Sequence, residues 1–284
     1  MTRTVPENVG VVGGGRMGAG IAQIFATLGS TVTVAETGDQ QAVLTRVSDG
    51  LGRAHERGKL GDADPANVLS RVSTVGAPDG LPSALDLVVE AVPESLDLKL
   101  GVLALVEKIV APSTVIASNT SSISIAALGA ALNDPSRLIG MHFFNPVPAS
   151  TLVEVIRAPA TDGGVVDRVR DWVSQLGKID VLVNDSPGFA TSRLGVCLGL
   201  EAIRMLEEGV ADAESIDRAM ELGYRHPMGP LRSTDLVGLD VRLAIAEHLT
   251  KTLGERFAPP ALLREKVERG ELGRKTGQGF FAWS

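Results

Sequence analysis

The sequence predicts an α/β fold, a doubly wound and mostly parallel sheet followed by an all-helical domain. Short Val/Ile-rich runs alternate with longer helical patterns through the first half, most of those runs are continuously apolar, and beyond residue 185 only helical patterns remain. Alternation of this kind is the signature of βαβ units. Unbroken apolar runs are expected of strands covered on both faces.

The elements follow in order. Val9–Val12 reads as a strand, Met17–Leu28 as a helix, Thr31–Ala35 as a strand and Gln40–Arg57 as a helix whose apolar stripe is Val43, Val47, Leu51 and Ala54. Further strands are expected at Arg71–Val75, Leu85–Val89, Thr114–Ser118, Arg137–Phe144, Leu152–Ile156 and Lys178–Val183, with a helix at Ser124–Leu132. Asp185-Ser186-Pro187-Gly188 breaks the alternation and marks a boundary between domains at 1–184 and 185–284. Beyond it come helices from Phe189 to Glu208, from Ala213 to Leu222 with Asp212 as N-cap and Gly223 as stop, from Pro230 towards Leu253, and from Pro260 to near Gly270.

At 284 residues and 44% hydrophobic content the chain can bury a sizeable core. Its net charge of -7, with no Lys/Arg block, argues against nucleic acid or an anionic membrane as partner. Cys197 is the only cysteine, which excludes an internal disulfide and a cysteine-cluster metal site, and no metal is expected. The residue itself reads as a small buried hydrophobe on a helix. Residues 1–10 have no signal-like apolar stretch, and no later run reaches membrane-spanning length, so a cytoplasmic location is expected.

Gly13, Gly15 and Gly18 form Gly-x-Gly-x-x-Gly between the first strand and helix, with Met17 inside the motif. Gly13 serves the tight turn, Gly15 the approach of a pyrophosphate and Gly18 close packing of helix on strand, the arrangement of a Rossmann-type dinucleotide site. Glu36 ends the second strand, 23 positions after Gly13 (36 minus 13). A carboxylate there accepts the adenosine ribose hydroxyls and repels a 2′-phosphate, so NAD is expected rather than NADP. Two later strand ends face the same crevice: one closes on Glu90, the other on Ser118-Asn119-Thr120-Ser121-Ser122, whose short polar side chains stand where nicotinamide and substrate would meet and one of which also caps a helix.

His142 is the one histidine of four in an apolar, proline-closed strand end, Met141-His142-Phe143-Phe144-Asn145-Pro146. Glu154 is the lone carboxylate of Leu152-Val153-Glu154-Val155-Ile156. A core histidine commonly serves packing and a strand glutamate commonly faces water, but beside a cofactor site the two read as a general base and the group that orients it.

Taken together, Gly13 to Gln23, Asn119-Thr120-Ser121-Ser122, His142 to Pro146, Leu152 to Val155, Asp185-x-Pro187-Gly188-Phe189, His226-Pro227-Met228-Gly229-Pro230 and Lys275-Thr276-Gly277-x-Gly279-Phe280 resemble the L-3-hydroxyacyl-CoA dehydrogenases, more narrowly the stand-alone bacterial 3-hydroxybutyryl-CoA dehydrogenases. The resemblance spans nearly the whole chain. It implies a homodimer formed through the helical domain, with NAD as cofactor and a short-chain (S)-3-hydroxyacyl-CoA as substrate. It also implies His142 as base, Glu154 as its partner, Ser121 on the substrate oxygen, and Asn145 holding the pair or the thioester end. Lys99 matches a position near the nicotinamide, although a solvated helix lysine fits the sequence equally. Arg46, Arg53 and Arg57 recur on one face of the helix expected to lie against CoA, and of these Arg57 matches a basic family position; a solvated face reads the same way. Gly50 stands where many relatives carry serine, and Ser192 where the family normally has a substrate-site asparagine. Those departures keep open a relative acting on another 3-hydroxy acid, such as 3-hydroxyadipyl-CoA or a CoA-free acid. A non-catalytic NAD-binding structural or regulatory protein is the remaining alternative, against which both His142 and Glu154 argue.

Overall fold

The computed structural model describes residues 5–283. The chain divides after Ser186 into two compact units, two residues beyond the boundary read from the sequence.

The first unit carries β1 (Asn8–Val12), α1 (Arg16–Leu28), β2 (Thr31–Ala35), α2 (Gln40–Glu56), α3 (Pro65–Leu69), β3 (Val72–Val75), β4 (Leu87–Glu90), α4 (Leu96–Ile109), β5 (Val115–Ser118), α5 (Ile125–Gly129), β6 (Leu138–Phe143), β7 (Leu152–Arg157), α6 (Gly163–Gln175) and β8 (Ile179–Asn184). Its eight strands lie in the order β3-β2-β1-β4-β5-β6-β7-β8. Every adjacent pair is parallel except β6 with β7. Ile21, Ala22, Phe25 and Ala26 of α1 and Val43, Val47 and Leu51 of α2 are fully buried beside Val9, Val11, Val32 and Val34, so the helical and strand periodicities meet in one core. The expected stripe on α2 is that face. Asp39 caps the helix by accepting from Ala42 N–H at 3.0 Å.

Two expectations here need correction. The predicted helix Ser124–Leu132 is a short one, Ile125–Gly129, and its cap is Ser124 rather than one of the side chains at 118–122. β8 is not covered on both faces: it is an edge strand paired only with β7, and Ile179, Val181 and Leu182 are exposed. Asp180 interrupts that apolar edge with a charge, paired to Arg170 at 2.6 Å.

The second unit carries α7 (Thr191–Glu207), α8 (Ala213–Gly223), α9 (Pro230–Val237), α10 (Leu239–Leu253) and α11 (Ala261–Glu268) around Val196, Leu200, Ile203, Leu231, Ala246, Leu249 and Leu263. Asp212 caps α8 as expected, accepting from Ser215 N–H. Gly223 closes the helix without turning left-handed; the positive φ falls on Arg225, at 57°. The first helix begins at Thr191 because Phe189 has φ 50°, outside helical space. Cys197 is exposed rather than buried, since the inward stripe of α7 runs through Val196, Leu200 and Ile203 and leaves position 197 turned away.

Buried carboxylates explain the glycine-rich motifs of this unit. Asp217 accepts from Leu231 N–H and Arg232 N–H, both at 2.8 Å, at the start of α9. A Cβ on Gly229 would come within 2.2 Å of the Asp217 side chain. Asp235 accepts from Phe280 N–H, Phe281 N–H and Trp283 Nε1, and Gly273 and Gly279 have no room for a side chain against it. Desolvation outweighs the hydrogen bonds at Asp217 and holds its carboxyl above the usual range.

The single helix expected from Pro230 to Leu253 is two, broken at Gly238 with φ 106° and ψ 130°. That backbone region belongs almost solely to glycine. Gly238→Ala should therefore destabilise the chain by about 1–3 kcal/mol, read as a lowered urea midpoint; an unchanged midpoint would show that the break tolerates a side chain.

Candidate active site

The reversal between β6 and β7 sets His142 directly opposite Glu154. Directly opposed residues of an antiparallel pair share one face of the sheet, so the imidazole and carboxylate meet. Nδ1 of His142 lies 2.8 Å from Oε2 of Glu154; the histidine is 7% exposed and the glutamate fully buried. The Phe144 ring lies 4.4 Å from the imidazole, centroid to centroid, and tilts across it. Asn119, at the end of β5, accepts from Phe143 N–H at 2.9 Å and ties that strand end to the histidine strand.

After His142 the chain turns through Asn145 and a cis Asn145–Pro146 bond. The ammonium of Lys178 donates to the carbonyls of Val147 (2.7 Å) and Ser150, fastening this turn from the first residue before β8. Burial pulls Lys178 below the usual lysine range. Gly20 of α1 lets the same turn pack closely, since a Cβ there would sit 2.9 Å from Val147 Cβ.

The glycine turn has the mechanics its spacing predicts. Gly13 takes φ 99°. A Cβ on Gly18 would lie 1.8 Å from the Gly13 carbonyl oxygen, whereas one on Gly15 would meet nothing within 4 Å. Position 15 is thus the open approach, and position 18 the close contact. Met17 packs against the core from the first turn of α1. The Glu36 carboxylate accepts from Gly14 N–H and Gly38 N–H, both at 2.7 Å, and Arg46 donates to the Gly14 carbonyl at 3.1 Å.

Glu90 is engaged inside the protein. Its Oε1 accepts from Lys99 Nζ and Val92 N–H, both at 2.7 Å, and its Oε2 from Ser118 Oγ at 2.5 Å. Lys99 is wholly buried, which excludes the solvated-lysine reading, and it bridges to Glu94 at 3.4 Å. Glu94 is the residue that sequence reasoning missed. One oxygen, Oε1, gathers Thr120 Oγ1, the N–H and Oγ of Ser121, and the N–H and Oγ of Ser122. Its only sequence signal is its place in the loop after Glu90, in Pro93-Glu94-Ser95.

Arg53 and Arg57 line a cleft of about 810 Å³ together with Arg16, Arg46, Lys59, Asn145 and Lys178. Asp49 and Gly50 line it too. At Gly50 a Cβ would fall 2.1 Å from Oε1 of the buried Gln23, so a serine there needs Gln23 to move. Ser192 stands in the first turn of α7, in the second unit.

Residues 8–186 match the family described as 3-hydroxyacyl-CoA dehydrogenase, NAD binding domain, and residues 188–283 match its C-terminal domain. The chain belongs to the 3-hydroxyacyl-CoA dehydrogenase family. It is an enzyme of that family with NAD as cofactor. A probable 3-hydroxybutyryl-CoA dehydrogenase of Deinococcus radiodurans is 44% identical over 96% of this chain and 99% of its own length. Another from Bacillus subtilis is 41% identical, with 97% and 96% covered. The crystal structure of the (S)-3-hydroxybutyryl-CoA dehydrogenase of Ralstonia eutropha superposes with a TM-score of 0.93 at 42% identity, over 98% of this chain and 99% of that one. Among the described residues, no helix is long and apolar enough to cross a membrane, and no group of His, Cys, Asp and Glu is placed to hold a metal ion.

Burial opposes the charge on Glu94, but the hydrogen bond from Thr120, the Lys99 ammonium and the bonds from Ser121 and Ser122 outweigh it and hold the carboxyl below 4.5. A depressed carboxyl contributes stability above its unfolded value and loses it as the pH falls through the folded one. The gap in urea midpoint between wild type and Glu94→Gln should therefore be widest near neutrality and shrink below pH 4.5. A gap independent of pH would count against a charged Glu94 as the anchor of residues 120–122.

Proposed function

We propose that the chain interconverts short-chain (S)-3-hydroxyacyl-CoA, 3-hydroxybutyryl-CoA included, and 3-oxoacyl-CoA, with His142 as general base. The observation that carries this reading is the buried His142–Glu154 pair at 2.8 Å, in the same unit as the glycine turn.

NAD fits the residues present: the open approach at Gly15, the helix N-terminus behind it and the carboxylate of Glu36 are the parts a dinucleotide needs. When bound, it supplies the acceptor for the hydride from C3. His142 takes the proton of the 3-hydroxyl through Nε2, because Nδ1 is held by Glu154. The buried carboxylate fixes the ring's orientation and offsets the charge the imidazole gains. Ser121 hydrogen-bonds the substrate oxygen by turning towards it the one hydroxyl proton that it otherwise gives Glu94, while its N–H keeps the turn on that carboxylate, and Asn145 orients the thioester end. Glu90, Lys99 and Asn119 serve the nicotinamide side: Glu90 joins the end of β4 to Ser118 of β5 and to Lys99 of α4, and Asn119 joins the end of β5 to β6. Arg53 and Arg57 meet CoA phosphates from the cleft they line.

The same reading includes a cytoplasmic homodimer formed through the helical unit, on which Leu194, Leu222 and Tyr224 are exposed. Ser192 supports a second reading, a different 3-hydroxy acid as preferred substrate, because its hydroxyl is shorter than an amide and offers fewer hydrogen bonds. A purely structural NAD-binding role does not need a buried imidazole–carboxylate pair.

His142→Ala should lower kcat for acetoacetyl-CoA reduction by about 10²–10⁴-fold while NADH binding, followed by fluorescence titration, stays within a few-fold. Near-wild-type turnover would remove the proposed base.

Cofactor choice is checked at Glu36. Glu36→Ser should raise kcat/KM for NADPH relative to NADH, since the charge facing a 2′-phosphate is gone; a wild type that already prefers NADPH would contradict this role for the carboxylate.

A further inference from the structure

Gln23 carries a carboxamide that no described residue answers. It stands in the middle of α1 and is only 4% exposed, on the helix face that lines the cleft of about 810 Å³ together with Gly20, Ile24 and Thr27. Spacing of i, i+3, i+4 and i+7 makes these four one stripe. Thr27 Oγ1 donates to the backbone carbonyl of Gln23 at 2.9 Å, but the side-chain amide makes no hydrogen bond among the described residues. Gly50 of α2 is what admits it. A Cβ there would fall 2.1 Å from Oε1 and 3.0 Å from Cδ of Gln23, so the carboxamide occupies the room that any side chain at 50 would take.

Buried amides without a partner are costly, and in native proteins such groups are nearly always paired. A carboxamide is neutral and holds a donor and an acceptor side by side, which matches another amide at two points. The cations of the cleft suit phosphates; this group does not. Its place along the cleft sets which part of a ligand it meets. Gly20, which packs on Val147 in the turn that holds Asn145, precedes Gln23 by three residues (23 minus 20), roughly 5 Å along α1. Arg57 follows Gly50 by seven residues (57 minus 50), roughly 10 Å along α2. The carboxamide therefore stands between the thioester end of the cleft and its phosphate end. In pantetheine two methylenes separate the sulfur from the nearer amide, a span comparable with the first of those distances.

We propose that the Gln23 carboxamide binds an amide of the pantetheine arm of CoA, and that the glycine at position 50 opens the cleft wall to it. This rests on the reading of the chain as a 3-hydroxyacyl-CoA dehydrogenase with CoA in this cleft, and it adds recognition of the arm to that of its two ends. A thioester without an amide leaves the carboxamide buried and unpaired.

The test follows NADH oxidation by the full chain with acetoacetyl-CoA, acetoacetyl-pantetheine and the S-ethyl thioester of acetoacetate, which keep or lack the nucleotide and the amides in turn. In Gln23→Met, which preserves length and shape, kcat/KM should fall by about 5- to 50-fold for the CoA and pantetheine thioesters alike, chiefly through KM, and by about twofold at most for the ethyl thioester. Gly50→Ala should reproduce that pattern by pushing the carboxamide aside, while its thermal melting point holds or rises because alanine favours the helix. Equal losses on all three thioesters, or none, overturn the proposal, and a loss confined to acetoacetyl-CoA overturns it by placing the carboxamide at the nucleotide end. A Gly50→Ala variant with wild-type KM overturns the role given to the glycine. Should the methionine variant not fold, Gly50→Ala decides with the same three substrates. A wild type that reduces neither acetoacetyl-CoA nor longer 3-oxoacyl-CoAs sinks the dehydrogenase reading and the proposal with it.

Discussion

The antiparallel register of β6 and β7 is the constraint on which the chemistry of the first unit rests. Within a parallel sheet, neighbouring strands reach the ligand-binding edge running the same way, and their side chains are staggered. One reversal changes this, because residues of β6 and β7 then stand directly across from each other with their side chains on a common face. His142 and Glu154 occupy such a pair, and a one-residue slip would send one of them to the opposite face. What surrounds the reversal holds its register. Asn119 is bonded to Phe143 N–H, Lys178 fastens the turn between the two strands, and Gly20 lets α1 lie against that turn.

A second layer of organisation is electrostatic. Glu90, Lys99 and Glu94 form a chain of charges from a fully buried strand end to an exposed loop. Burying a lone carboxylate or ammonium costs several kcal/mol, on the order of the whole stability of a domain, so each needs the other. Glu90 takes three donors and Glu94 takes five onto one oxygen. The polar turn at 119–122 is thereby held in place by carboxylates from a neighbouring strand and loop rather than by its own short side chains.

Much of this was legible in the sequence because it rests on local rules. Val9–Val12 and Thr31–Ala35 are continuous hydrocarbon, the Val43-Val47-Leu51 stripe has helical spacing, and Gly13, Gly15 and Gly18 carry distinct steric demands. What escaped depends on tertiary context. Glu94 is an unremarked loop acid until the fold brings residues 120–122 to it. Gly238 interrupts a stretch whose apolar spacing is helical on both sides, and only its backbone angles reveal the break. Val181 and Leu182 look like core residues by composition, yet nothing local says that β8 is the last strand of its sheet. Cys197 was misjudged because residue type was weighed above helical phase.

The hydrogen bonds gathered by Asp235 bear on the order in which this protein acquires its shape. The carboxylate stands on α9, but its donors at Phe280, Phe281 and Trp283 lie 45 to 48 positions later in the chain. During synthesis that carboxylate leaves the ribosome long before its donors exist, and it stays solvated until residues 280–283 emerge. Contacts of such separation pay their loop-closure entropy before they return any stability. The sheet unit, whose strands are complete by Asn184, has its strand partners available well before then. Asp235 can therefore find these partners only after residues 280–283 have been made, and strand pairing in the sheet unit need not wait for them.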